Sequence, residues 1–144
     1  MILIDANLLL YAYNKTADAH PQAQQWLEDT LSEPQHVRFS WLTILAFLRI
    51  TTNPRVFSVP MTPAASSAIV SSWLTLPSVA VLEPSERHWS ILSDLLRTAQ
   101  ARGPLVTDAH LAALAIEHGA TLMTTDQDFA RFEGLQWKNP LRGN

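Results

Sequence analysis

Thirteen aspartates and glutamates are spread over 144 residues, and most stand in polar surroundings such as Glu28-Asp29. Three do not. Asp5 ends the apolar run Ile2-Leu3-Ile4, Asp126 follows Thr121-Leu122-Met123-Thr124, and Asp108 opens an apolar helical stripe after Thr107. Carboxylates brought together repel one another unless a cation neutralises them, and hard oxygen ligands suit Mg²⁺ or Mn²⁺. Such ions activate water and stabilise both oxygens of an in-line phosphoryl displacement. Asn7, with Thr124 or Thr125, would supply neutral hydrogen-bonding partners at the same place. Each acid taken singly has a plainer explanation. Asp5 and Asn7 are good helix caps, Asp108 at a helix start is favoured by the macrodipole, and Asp126 and Asp128 suit a turn.

The elements that would position these residues follow from the apolar pattern. Short apolar runs bounded by polar residues predict buried strands at Ile2–Ile4, His36–Ser40, Val79–Leu82 and Thr121–Thr124, with a last one at Leu135-Gln136-Trp137. Between them, helical spacing predicts helices over Leu8–Tyr13, from Asp18 to about Leu31, and over Trp41–Thr52. Further helices are expected from Thr62 or Pro63 to Leu76, from Ser85-Glu86 to near Gly103-Pro104 with Trp89, Leu92 and Leu96 in step, and from Thr107-Asp108 to Gly119. Asn53–Phe57 is expected as a turn or a short helical piece, and Asp126–Arg131 as a helical turn. Strands separated by helices imply a central parallel sheet in a three-layer α/β/α sandwich, here a single domain over residues 1–144. In such a sheet the carboxyl ends of the strands share one edge, where ligands bind. Asp5 and Asp126 would lie on that edge; Asp108, on a helix that precedes a strand, reaches it only if its helix is tilted.

With 47% hydrophobic and 16% charged residues the chain can bury a sizeable core. The net charge of −3 argues against a general electrostatic binder of nucleic acid, though not against an enzyme acting on it. There is no cysteine, hence no disulfide framework and no thiolate metal site. No apolar run approaches the length of a membrane span, and no signal peptide is recognisable, so a cytoplasmic location is expected. Histidines 20, 36, 88 and 118 form no HxxxH or HxH pair, and His110 is expected to be hydrogen-bonded or partly exposed rather than a ligand. The five tryptophans are expected in core or interface packing, with Trp41 the one placed to stack on a base.

Four stretches in order carry a resemblance: Ile2-Leu3-Ile4-Asp5-Ala6-Asn7, Phe47–Phe57, Leu105–Ala113 with Thr107-Asp108, and Thr124-Thr125-Asp126-Gln127-Asp128-Phe129. With the closing Phe132–Leu141 they make the chain resemble PIN-domain ribonucleases, specifically VapC-type toxins of bacterial toxin–antitoxin pairs. The resemblance implies an Mg²⁺- or Mn²⁺-dependent endoribonuclease acting on structured RNA such as tRNA. It implies Asp5, Asp108 and Asp126 as the acidic, metal-binding cluster, with Asn7 and Thr124 beside them. It also implies homodimers and a cognate VapB-type antitoxin.

One position departs from the pattern. PIN domains commonly carry a further glutamate on the helix after the second strand, and here Ala46 stands there, with no acid between Glu33 and Glu83. One metal ion then suffices, or Asp128 contributes, or the site binds metal weakly. Arg49 and Arg55 are candidates for phosphate contacts. Two other functions remain open from the residues: an aspartate-nucleophile phosphatase built on Asp5, in which Asn7 replaces the expected second aspartate, and a non-catalytic RNA- or protein-binding PIN-like module. The apolar segments Leu8–Tyr13 and Trp41–Ile50 exceed what one small core needs and point to dimer or antitoxin contacts.

Overall fold

The computed structural model describes residues 1–142. Five strands, β1 (Ile2–Ile4), β2 (Val37–Phe39), β3 (Val79–Val81), β4 (Thr121–Met123) and β5 (Trp137–Lys138), form one sheet in the order β3-β2-β1-β4-β5. Every pairing is parallel, with Ile2 opposite Val37 and Thr121, and Ile4 opposite Met123. The helices are α1 (Ala6–Tyr13), α2 (His20–Ser32), α3 (Trp41–Thr51), α4 (Pro63–Leu74), α5 (His88–Thr98) and α6 (Pro104–His118). Side chains alternate across a strand, so β1 feeds both layers. Ile2 and Ile4 pack with Leu8, Leu27, Ile44, Phe47 and Trp73, whereas Leu3 packs with Leu95, Leu111, Leu114 and Phe129. The expected α/β/α sandwich is therefore present, with α1–α4 on one face and α5–α6 on the other.

Trp73 anchors the first layer. It stacks on Phe39 at 5.2 Å and meets Phe47 edge-on at 4.8 Å, and its indole N–H donates to the Tyr13 hydroxyl at 3.3 Å. Trp89, expected in core or interface packing, is 69% exposed, because α5 turns Leu95, Ile91 and Leu92 inward.

Several boundaries shift for local reasons. The second helix begins at His20, not Asp18, since turns at Asn14–Ala17 and Ala17–His20 use up that stretch. The fifth begins at His88, three residues after the expected start, because Ser85–His88 forms a turn, and it ends at Thr98 where Gln100 adopts a positive φ of 49°. The sixth starts at Pro104, behind Gly103 at φ 57°, so Asp108 is in the second turn and not at the helix start. The last strand is Trp137–Lys138, since Leu135 is held in a turn by its N–H donating to the Phe132 carbonyl next to Gly134. Asp126–Arg131 is a 3-10 helix over Gln127–Arg131 with Asp126 as its cap.

Candidate active site

The site forms where the carboxyl ends of β1 and β4 meet the starts of α1 and α3 and the second turn of α6. Asp5 is the first residue past β1, and its N–H donates to the Met123 carbonyl at 2.9 Å, so the sheet itself fixes its backbone. One carboxylate oxygen accepts from the Ala6 N–H at 2.8 Å, and the other accepts from the Thr124 hydroxyl at 2.8 Å. The capping role and the site role thus fall on the same side chain. Thr124 is wholly buried. Its hydroxyl also accepts from the Asp126 N–H at 3.0 Å, and the Asp126 carboxylate accepts from the Asp128 N–H at 2.9 Å. A single hydrogen-bonded thread therefore runs from β1 to the turn after β4.

Asp108 reaches the same place from the opposite layer. Asp5, Asp108, Leu42, Thr43, Ala46 and Thr107 line one cavity of about 80 Å³. A larger cleft of about 330 Å³, between Tyr13, Lys15, Phe57 and Met61, is lined by no carboxylate. Ser40 caps α3 by accepting from the Thr43 N–H at 3.0 Å, which presents Thr43 and Ala46 to the cavity. Ala46, at the position where the family resemblance implies a glutamate, lines the same cavity as Asp5 and Asp108. Asn7 is half-buried beside Asp5 in α1.

The electrostatics agree with this crowding. Burial pushes the Asp108 carboxyl up to about 6, and the nearby charges of Asp126, Asp5 and Asp128 add to the rise. Burial raises the Asp5 carboxyl as well, opposed by the bonds from Thr124 and Ala6 and assisted by Asp126. Among the described residues no basic side chain offsets either shift. These are hard oxygen donors that lack a counter-charge, which is the donor chemistry of an Mg²⁺ or Mn²⁺ site. Among the described residues no three acids or histidines stand close enough to hold one ion jointly. Mg²⁺ is bound through one or two carboxylates with water completing the shell, so Asp5 and Asp108 fit it as a pair.

A stability change with pH follows from Asp108. Its folded-state pKa lies above the unfolded value, so between about pH 4 and 6 the folded chain holds a proton that the unfolded chain has released. Stability of the metal-free protein therefore falls as pH rises through that window. Asp108→Asn should flatten this slope, read as the difference between wild-type and variant melting midpoints at pH 4.5 and 7. Equal slopes in both would remove Asp108 as the source.

Arg49 and Arg55 are exposed, and among the described residues neither forms an ion pair. Arg49 continues the α3 stripe of Trp41 and Leu45, leading away from the cavity. Trp41 is 49% exposed, and its indole N–H donates to the Glu83 carboxylate at 3.1 Å, which holds the ring at the rim. The residue that sequence reasoning passed over is Thr43, which stands in no motif of its own. His110 is hydrogen-bonded, as expected, but to His88, whose partner no short spacing could disclose. Burial and the neighbouring His88 lower the His110 pKa, against a smaller upward pull from Glu117.

A model of the PIN domain family matches residues 2–135. Ribonuclease VapC37 of Mycobacterium tuberculosis is 42% identical over 140 residues, covering 97% of each chain, and ribonuclease VapC33 of the same species is 39% identical over 142 residues, 99% of each. VapBC-1 of nontypeable Haemophilus influenzae superimposes with a TM-score of 0.71 at 19% identity, covering 99% of this chain and 100% of that one. VapC20 of M. tuberculosis, described as a sarcin-ricin loop cleaving toxin, superimposes at 0.65 with 19% identity, over 94% and 99% of the two chains.

Proposed function

The chain belongs to the PIN domain family, among the VapC-type ribonucleases, and on that premise we propose that it is an endoribonuclease toxin dependent on Mg²⁺ or Mn²⁺. Its substrate is structured RNA, tRNA foremost, and a cognate VapB-type antitoxin silences it. The observation that carries this reading is the convergence of Asp5 and Asp108, from opposite layers of the sandwich, on one cavity, with Asp126 tied to Asp5 through Thr124. A phosphatase built on Asp5 has no comparable support, because Asn7 leaves it without a general acid.

In this reading Asp5 and Asp108 hold the cation and Asp126 completes the acidic cluster, with Asn7 as a neutral partner and Asp128 as an outer acid. A divalent ion bound there would polarise the scissile phosphodiester and lower the pKa of the attacking water. Each Asp5 oxygen accepts one hydrogen bond and keeps a lone pair free toward the cavity. Asp108 accepts no hydrogen bond from the described residues, so its oxygens are unencumbered. Thr124 orients two acids at once. Arg49 and Arg55 contact phosphates along the RNA, and Trp41 is placed to stack on an unpaired base.

Thr124→Val keeps the shape and removes the hydroxyl. Losing such an orienting partner costs about 10–100-fold in activity or metal affinity. We expect that loss in kcat/KM for RNA, with Mn²⁺ affinity weakened in parallel; an unchanged rate would show that the thread does not align the site.

The apolar excess noted in the sequence divides in two. Leu8 and Leu9 are wholly buried, so that segment belongs to the core, but Trp41, Leu42 and Leu45 are 49%, 38% and 60% exposed. That α3 face is the surface we assign to the antitoxin, which would silence the enzyme by covering Trp41 and the cavity rim at Leu42 that the RNA uses. Cleavage products of total cellular RNA, mapped with and without Mn²⁺ and with an acid-to-amide variant as control, test the activity. Products that appear equally in all three samples would overturn it.

A further inference from the structure

The seam between α5 and α6 holds a second group of titratable side chains, on a different side of α6 from the acidic cavity. His88 is the first residue of α5, and its Nε2 lies 3.0 Å from Nδ1 of His110 in α6. Its other nitrogen, Nδ1, lies 2.7 Å from the Glu117 carboxylate, whose side chain is fully enclosed. The remaining Glu117 oxygen accepts from the Ser85 N–H at 2.8 Å. Arg87 donates to the Glu117 backbone carbonyl, not to the carboxylate. Among the described residues the enclosed carboxylate faces imidazoles and no lysine or arginine: His88, and His118 at 3.6 Å.

We propose that His88 and His110 form a two-imidazole binding site for a borderline transition-metal ion of the Zn²⁺ class, backed by Glu117. Three features carry it. Glu117 accepts from the His88 Nδ1–H, which leaves His88 Nε2 to accept from the His110 Nδ1–H; an ion between the rings takes both lone pairs, and His110 then carries its proton on Nε2. A carboxylate behind a histidine in this way is the usual outer support of a zinc ligand, setting the tautomer and raising its basicity. The ring geometry departs from a simple linear hydrogen bond. A collinear N–H···N bond of this length would hold the centroids about 5.3 Å apart, whereas they are 4.8 Å apart with planes at 75°. With Zn–N near 2.0–2.1 Å, the nitrogens need separate by only about 0.3 Å to reach tetrahedral spacing.

Glu117 is not a third ligand, since it sits on the far ring nitrogen; water completes the shell. Nitrogen donors favour Zn²⁺ over Mg²⁺, so this site is chemically distinct from the carboxylate cavity and does not depend on the nuclease reading. His110 lies two positions from Asp108, which turns it round α6 from that cavity. An ion in the seam would clamp α5 to the helix that carries Asp108.

The test uses the whole chain, stripped of transition metal, held in excess Mg²⁺ to occupy the carboxylate cavity, and titrated with ZnCl₂ by calorimetry. Wild type should bind close to one equivalent. His88→Gln and His110→Gln should each weaken Zn²⁺ binding at least tenfold, while Asp5→Asn should leave it within about twofold. In wild type, where no substitution can disturb folding, Zn²⁺ should shift the ring ¹⁵N resonances of His88 and His110 ahead of the other three histidines. Absence of wild-type binding would overturn the site. So would binding that survives both histidine variants, binding lost in Asp5→Asn, or resonance shifts confined to other histidines.

Discussion

Asp5→Asn should cut RNA cleavage by at least about a hundredfold and leave the chain folded. Outer partners of a metal site already cost about 10–100-fold when lost, so a direct ligand costs no less. The structure shows why the fold tolerates the change. The carbonyl oxygen of the introduced amide would accept from the Ala6 N–H as the Asp5 carboxylate does. Its NH₂ group would donate to the Thr124 hydroxyl, which keeps a lone pair for the Asp126 N–H and turns its own proton away from Asp5, a lost bond that the relief of charge offsets. Burial and Asp126 both disfavour the charge on Asp5, so the metal-free variant should melt no lower than wild type. Cleavage of a defined RNA under saturating Mn²⁺, beside a thermal melt, checks both halves. Wild-type cleavage by a folded Asp5→Asn protein would remove Asp5 from the chemistry.

Ala46→Glu should raise Mn²⁺ affinity by about tenfold or more, equivalent to about 1.4 kcal/mol. Ala46 lines the cavity with Asp5 and Asp108, so a glutamate there adds a third hard oxygen donor to a pair. The same charge should destabilise the metal-free protein, since it joins carboxylates that already repel one another. Ala46→Gln is the control: it brings equal bulk without charge. If the two variants bind Mn²⁺ alike, position 46 does not address the ion, and the pairing of Asp5 with Asp108 needs revision. A gain confined to the glutamate variant would explain how this chain works with fewer acids, by leaving more of the shell to water.

Part of this was legible from one dimension. The alternation Ile2-Leu3-Ile4 marked a strand with two buried faces, and each side chain packs into the layer its parity requires. The polar residues ending β1 and β4 had to share an edge once the sheet was parallel, so Asp5 and Asp126 were placed by topology alone. Other features depended on local competition between turns and helices. Ser85 looks like a helix start, yet it spends its N–H on Glu117 of another helix. Leu8–Tyr13 looks like spare apolar surface, yet α2 and the sheet cover Leu8 and Leu9.

What the sequence determined by itself is the sheet, its two apolar layers and the edge on which acids collect, because strand periodicity and parallel connections are local rules. Only the tertiary structure decided that Asp108 joins Asp5 in one cavity and that His88 meets His110. Both meetings depend on how α5 and α6 lie against the sheet and against each other, and that angle is set by many side-chain volumes packing together rather than by any short pattern.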